Sequence, residues 1–233
     1  DFLTRYDPDP LRYYLTVNMP ETRDTDWDWD DFYHRNNDEL VATWGNLANR
    51  VLSFASKHWD GVVPDPGELT DLDRNLLAAI EQGFETVANE LEAVHLRGAL
   101  AEALRLASEV NKYLDQTAPW TAIKTDRLAA SRAIYTALRA IDSLKILLAP
   151  FLPFTCEKLH GFFGYETPLF GEQYTETVKD SLGKHTVLRY KGVDGLQWKP
   201  SELKPGQKLN QPGPLFKKLE ESVIEEERAR LGK

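Results

Sequence analysis

Four long apolar stripes at helical spacing limit what this chain can fold into. Between residues 31 and 163 nothing alternates with the two-residue period of a strand. Apolar residues recur instead at three- and four-residue steps, the spacing of one buried helix face. Leu40, Val41, Trp44, Leu47, Ala48, Val51, Leu52 and Ala55 form the first stripe, in a run from Asp31 to about Ser56. Leu72, Leu76, Ile80, Phe84, Val87 and Leu91 form the second. A third passes through Leu96, Ala99, Leu100, Ala103, Leu104, Ala107, Val110 and Leu114. Leu128, Ile134, Ala137, Leu138, Ile141, Leu144 and Leu148 form the fourth.

The punctuation agrees with the stripes. Residues 61–67, rich in Gly and Pro, are a loop, and Thr70 with Asp73 three residues on predicts a capped helix start. Pro119 ends the third helix, because proline lacks the donor and restricts the residue before it. Thr125 or Asp126 caps the fourth, Pro150 and Pro153 break it, and a shorter helix over about Phe154–Phe163 carries Cys156, Leu159 and Phe162. The expected fold is all-α: an antiparallel helix bundle over residues 31–163, with a short connector over 1–30 and an irregular extension over 164–233. Pro8, Pro10 and Pro20 cut the connector into short pieces. The extension holds one possible strand, His185–Tyr190, and a last charged helix, Val223–Leu231, with so little apolar face that it must lean on something.

Composition narrows function. One cysteine, Cys156, excludes an internal disulfide and a multi-cysteine zinc site, and suits a reducing compartment. No apolar run approaches membrane-spanning length, so no membrane partner is expected. The net charge of -9 argues against nucleic acid at first sight. Its distribution weakens that objection: residues 1–92 carry 20 acids and 7 bases, residues 93–233 carry 17 acids and 21 bases. Five acids near Trp27 and Trp29 (Asp24, Asp26, Asp28, Asp30, Asp31) lack the glycine and closing glutamate of a calcium loop, and suit the start of the first long helix. No phosphate-cradling glycine loop, HExxH, GxSxG or Cys/His ligand spacing is present, and the five histidines are scattered. The residues alone describe a binding module without a metal site or a catalytic residue.

Two features could carry that binding. Asn46 and Arg50 lie off the first stripe, four residues apart and so on one side of the helix. An amide above a guanidinium offers donors and an acceptor to a nucleobase edge; the same pair is also what an ordinary solvated face carries. Trp120, after Ala118 and Pro119, sits at a helix junction, where it either fills the core or offers a ring for a base to stack on.

A family resemblance bears on that choice. Asp7-Pro8-Asp9-Pro10-Leu11-Arg12-Tyr13-Tyr14-Leu15 resembles the segment after the KMSKS loop of class I aminoacyl-tRNA synthetases. Asn37-Asp38-Glu39-Leu40 and Gly45-Asn46-Leu47-Ala48-Asn49-Arg50 resemble the start of the methionyl-tRNA synthetase anticodon bundle. Asn111-Lys112-Tyr113 with Ala118-Pro119-Trp120 is similar to that family's N-x-Y…PW signature. Pro150-Phe151-Leu152-Pro153 and the later Trp198, Leu203, Gly206, Leu209 and Pro214-Leu215-Phe216 continue it, while residues 165–197 match poorly. The resemblance implies that Asn46 and Arg50 read the first anticodon base, a cytosine, that Trp120 stacks on anticodon bases, and that Pro119 holds the indole. Phosphate contacts are expected among Arg97, Arg105, Lys112, Lys124, Arg127 and Arg132.

The implied partners are tRNA(Met) and the parent enzyme's own catalytic domain, with no DNA, in the cytoplasm. Neither the HIGH nor the KMSKS motif is present, and Met19 is the single methionine, so the chain reads as a piece of a longer methionine–tRNA ligase. ATP with Mg would be used by the missing catalytic domain, and this piece is expected to need no cofactor and to be inactive alone. The alternatives are the equivalent domain of another class I synthetase and an all-helical protein-interaction module.

Overall fold

In the computed structural model, which describes residues 1–21, 24–181, 183–192 and 197–230, helices dominate. A 3-10 turn, Phe2–Thr4, precedes α1 (Pro8–Val17). Then come α2 (Trp29–His34), a π-helical segment (Arg35–Gly45) and α3 (Asn46–His58). The bundle continues with α4 (Asp71–Glu92), α5 (Leu96–Thr117), the single turn α6 (Pro119–Ala122), α7 (Arg127–Leu148) and α8 (Pro153–Phe162). Strands β1 (Glu172–Asp180) and β2 (Gly183–Lys191) pair antiparallel, and α9 (Ser222–Arg228) closes the order.

Three of the helices start where short polar side chains satisfy free backbone donors. Thr70 and Asp73 form a reciprocal capping box on α4, and Asp126 rather than Thr125 caps α7 by accepting from the Ala129 amide. Asp28 accepts from the amides of Asp30 and Asp31 and so starts α2. Pro20 lies beyond the end of α1, and Pro8 and Pro10 fall in its first turn, where the missing donor costs nothing. They therefore begin a ten-residue helix instead of breaking the segment up. Asp9 of that helix is buried and accepts from the Thr155 amide at 2.6 Å, tying α1 to the start of α8.

The stripes meet as their spacing requires. α4, α5 and α7 pack on one another, and α3 packs on α7. Leu47, Val51, Leu52, Ile80, Leu100, Leu106, Leu138 and Ile141 are at most 1% exposed and make the core. Burying side chains of this size contributes roughly 1.5–3 kcal/mol each. α4 and α5 touch closely at Gly83, where an added Cβ would run into Leu106. α7 is buried over most of its circumference, including Thr136, Asp142, Ser143 and Lys145.

What covers the outer face of α7 is the extension, whose proline- and glycine-rich composition suggested a loose tail. Leu203, Leu209, Leu215, Phe216 and Leu219 are all buried. The Ser201 amide donates to Ser143 Oγ, and Tyr135 Oη donates to the Leu203 carbonyl. Val63 and Gln207, and Leu209 and Gly61, join the strap to the loop before α4 through backbone bonds. The last helix leans on the connector: Glu227 accepts from Arg5 and Tyr6, and Ile224 packs with Tyr14, Trp29 and Phe32. β2 covers the expected strand, and β1 is additional. β1 carries only Tyr174 and Val178 among charged and hydroxyl side chains, too little apolar alternation to be read from sequence.

Candidate nucleic-acid interface

The sharp bend between α5 and α7 places the indole. Ala118 ends one helix and begins the next with left-handed angles (φ 39°, ψ 56°), a conformation that costs a non-glycine residue about 1–2 kcal/mol. Pro119 follows at the first position of α6, buried, where its fixed φ suits the new helix. The next residue, Trp120, is thereby turned onto α3. Its ring is half-buried, meeting Phe54 edge-on at 4.9 Å between centroids and 84° between planes.

Arg50 lies against the same indole, its Cζ 4.7 Å from the ring centroid. Arg50 Nε is buried and has no hydrogen-bond partner among the described residues, and no carboxylate pairs with the guanidinium there. A buried donor left without an acceptor costs about 1–3 kcal/mol, offset in part by the cation–π contact at about 0.5–1 kcal/mol. The site thus holds a part-exposed planar guanidinium, its Nε buried and unpaired among the described residues, beside a flat ring. An unpaired base supplies both complements: a π face for the indole and edge acceptors for the guanidinium. The ring is less open than a bare junction platform. A base must take its exposed part or displace the guanidinium.

Arg50, Trp120 and Pro119 are brought together; Asn46 stands one helical turn earlier. It is exposed, makes no side-chain hydrogen bond within the described residues, and lines a hollow of about 160 Å³ with Val41, Asn49, Pro214 and Phe216. The π-helical segment ends immediately before it. Thr43 Oγ1 donates to the Asp38 carbonyl five residues back, and Asn36 and Asn37 are tied to the backbone of Lys217 and Leu219. The strap therefore holds the wide turn from which Asn46 emerges. The apolar spacing predicted an uninterrupted α-helix here; the stripe is buried as expected, but the segment winds as a π-helix, and side-chain bonds from Asn36 and Asn37 tie its start to a segment some 180 residues away.

The acids before α2 have local work. Asp31 pairs with Arg35, Asp30 with Arg228, and Asp28 is the cap already described. Among the described residues no group of three His, Cys, Asp or Glu could hold a metal ion, and no helix is long and apolar enough to cross a membrane. Of the cations expected to meet phosphate, Arg105 and Lys112 are paired with Glu102 and Glu109. Arg132 Nε is buried without a hydrogen-bond partner among the described residues, whereas Lys124 and Arg127 are exposed beside α6.

Comparison with known proteins fixes the family. A family model described as the anticodon binding domain of methionyl tRNA ligase matches residues 63–187. The chain belongs to the methionyl-tRNA ligase family. A second model, tRNA synthetases class I (M), matches residues 1–52. A methionine–tRNA ligase of Thermomicrobium roseum is 52% identical over 99% of the chain, and one of Chloroflexus aggregans is 50% identical over 99%. The chain spans only 40% and 39% of those two proteins' own lengths. A crystal structure of the apo form of Mycobacterium tuberculosis methionyl-tRNA synthetase has the same fold, with a TM-score of 0.77 and 24% identity; it covers 94% of this chain and 40% of that one.

The patch around Trp120 extends beyond Arg50 and Pro119. Phe54, His58, Trp59 and Arg127 continue it. Phe54 and His58 rings are 4.3 Å apart, Arg127 Cζ lies 5.3 Å from the Trp59 ring, and Arg127 Nη2 donates to the His58 carbonyl at 2.6 Å. Burial, then the charges of Lys57 and Arg127, hold the His58 imidazole below its usual pKa. The signal was present: Asn46, Arg50, Phe54 and His58 recur every four residues, one ridge of a helix. Counting His58 among scattered histidines hid it.

Proposed function

We propose that this chain selects the anticodon of tRNA(Met) for a methionine–tRNA ligase. The observation that carries the reading is the Arg50–Trp120 pair: a guanidinium on an indole, with one buried donor unpaired and no carboxylate partner in the described residues. The first anticodon base, splayed from its loop, stacks against Trp120. Arg50 turns donors to the acceptors on cytosine's edge, and Asn46 approaches from one turn away with an amide that can donate and accept. Pro119 fixes the backbone from which the indole projects. Residues 1–30 act as the connector along the tRNA stem, residues 31–163 as the decoding bundle and residues 164–233 as its extension.

The rest of the reaction lies in the part of the relatives that this chain does not span. There the whole enzyme activates methionine with ATP and Mg and esterifies it to tRNA(Met), in the cytoplasm. This chain contributes selection and no catalytic residue.

The deciding experiment is binding of labelled anticodon stem–loops to the chain at one stated salt concentration, with only the first base changed. Good edge contacts discriminate by about 1–3 kcal/mol, so cytosine is expected to bind roughly 5- to 150-fold better than uracil, adenine or guanine. Preference for another base would assign the chain to a different class I specificity. Equal binding of all four would remove Arg50 and Asn46 from decoding.

A further inference from the structure

The β1–β2 ribbon has no part in reading the anticodon. Its nine paired positions run from Glu172 opposite Lys191 to Asp180 opposite Gly183. Directly opposed residues share a face, so the register sorts the side chains into two sets. One face mixes acids and bases: Arg189 pairs with Glu176, His185 with Asp180, and Val178 and Val187 are partly covered.

The other face is different in kind. Every residue on it is exposed, and none is a carboxylate. Lys179 stands opposite Lys184, and neither has an ion pair among the described residues. Like charges directly opposed on a ribbon are destabilising. Thr175, Thr177 and Thr186 add three hydroxyls, and Tyr190 and Leu188 are 54% and 68% exposed. A two-stranded ribbon is marginal by itself in water. This one keeps an uncompensated lysine pair and a row of hydrogen-bonding groups facing solvent, which is the complement of a sugar-phosphate backbone.

The ribbon springs from the end of α7 opposite the anticodon patch. Arg127, at the start of α7, belongs to that patch. Leu169 and Phe170, which lead into β1, line a hollow with Ile146, Ala149 and Pro150 at the other end of α7. At about 1.5 Å per residue the two ends of that helix are roughly 30 Å apart.

We propose that the carboxylate-free face of the ribbon is a second RNA-contact surface, gripping the backbone of the same tRNA away from its anticodon through Lys179, Lys184 and the neighbouring threonine hydroxyls. The proposal rests on the tRNA reading above. It adds a contact that contributes affinity without sequence preference.

The test measures binding of full-length tRNA(Met) transcript to the chain across a salt series, for wild type, Lys179→Ala/Lys184→Ala, Lys179→Arg/Lys184→Arg and Arg189→Ala. Each phosphate contact contributes about 0.7–0.9 to the log–log salt slope, so the double alanine variant should lose between about 1 and 2 from that slope. Its affinity at low salt should fall roughly 5- to 30-fold, with the preference for a first-base cytosine unchanged. The double arginine variant should behave as wild type, and Arg189→Ala, on the mixed face, should keep the wild-type slope. An unchanged slope in the double alanine variant overturns the proposal, as does an equal drop in Arg189→Ala, which would reduce the effect to overall charge. A double alanine variant that binds tRNA normally but no longer adheres to anionic vesicles would overturn it in favour of a membrane surface. Failure of the decoding reading looks different: wild type itself would show no first-base preference, whatever the ribbon variants do.

Discussion

Replacing Trp120 by alanine separates a stacking ring from a core wedge, because the two roles leave different energies behind. A fully buried tryptophan truncated to alanine costs about 3–5 kcal/mol. Trp120 is half-buried, so roughly half of that, about 2 kcal/mol, is expected in stability, including the edge contact with Phe54 and the guanidinium of Arg50. For a chain of this size that is a fall of about 4–8 °C in Tm. A base stacked on an aromatic ring contributes about 1–3 kcal/mol, so affinity for the anticodon stem–loop should drop roughly 5- to 150-fold while the protein stays folded. Anisotropy of labelled RNA is the suitable readout, since intrinsic fluorescence is shared by six tryptophans. Trp120→Phe keeps a π face and should recover most of the affinity. A stacking role for Trp120 is refuted if Trp120→Ala costs more than about 4 kcal/mol of stability, the value of a fully buried ring. It fails equally if the folded variant binds RNA as wild type does.

Two further predictions concern the frame around the site. Asp73 is buried, completes the capping box with Thr70 and accepts from Tyr113 Oη at 2.5 Å, so Asp73→Ala removes the reciprocal half of the box and strands a hydroxyl. A loss of about 2–4 kcal/mol in a urea titration is expected, and a loss under about 1 kcal/mol would refute the double role. His160 Nδ1 accepts from Lys145 Nζ at 2.9 Å, and burial, followed by the Lys145 charge, holds its pKa down at about 4 against the usual 6.5. The folded chain keeps the imidazole neutral while the unfolded chain takes up a proton. His160 should therefore contribute stability above pH 6.5 that is lost as pH falls toward about 4 and levels off below it. Urea midpoints across that window should fall less steeply for His160→Gln, and parallel curves would show that other groups set the dependence.

Some of this protein is determined locally and some is not. The apolar periods of α4, α5 and α7, the Thr70–Asp73 cap and the stop at Pro119 are decided by neighbours in sequence, so they are legible without a structure. The pair Asn46 and Arg50, and the candidate stacking ring Trp120, were legible as residue types. That Arg50 lies on Trp120 was not, because 70 residues separate them and the left-handed Ala118 brings them together. The anchoring of the π-helical segment before Asn46 was equally out of reach, since Asn36 and Asn37 bond to the backbone of Lys217 and Leu219, far along the chain. The extension reads as loose because its buried leucines are spaced by no regular period; their places are made by distant surfaces, the outer face of α7 for the Ser201–Leu203 stretch, Gly45 for Phe216 and the Tyr14–Trp29–Phe32 cluster for Leu219. Local hydrogen bonding and side-chain spacing thus set where the helices are, whereas long-range packing alone decides which side chains share a surface.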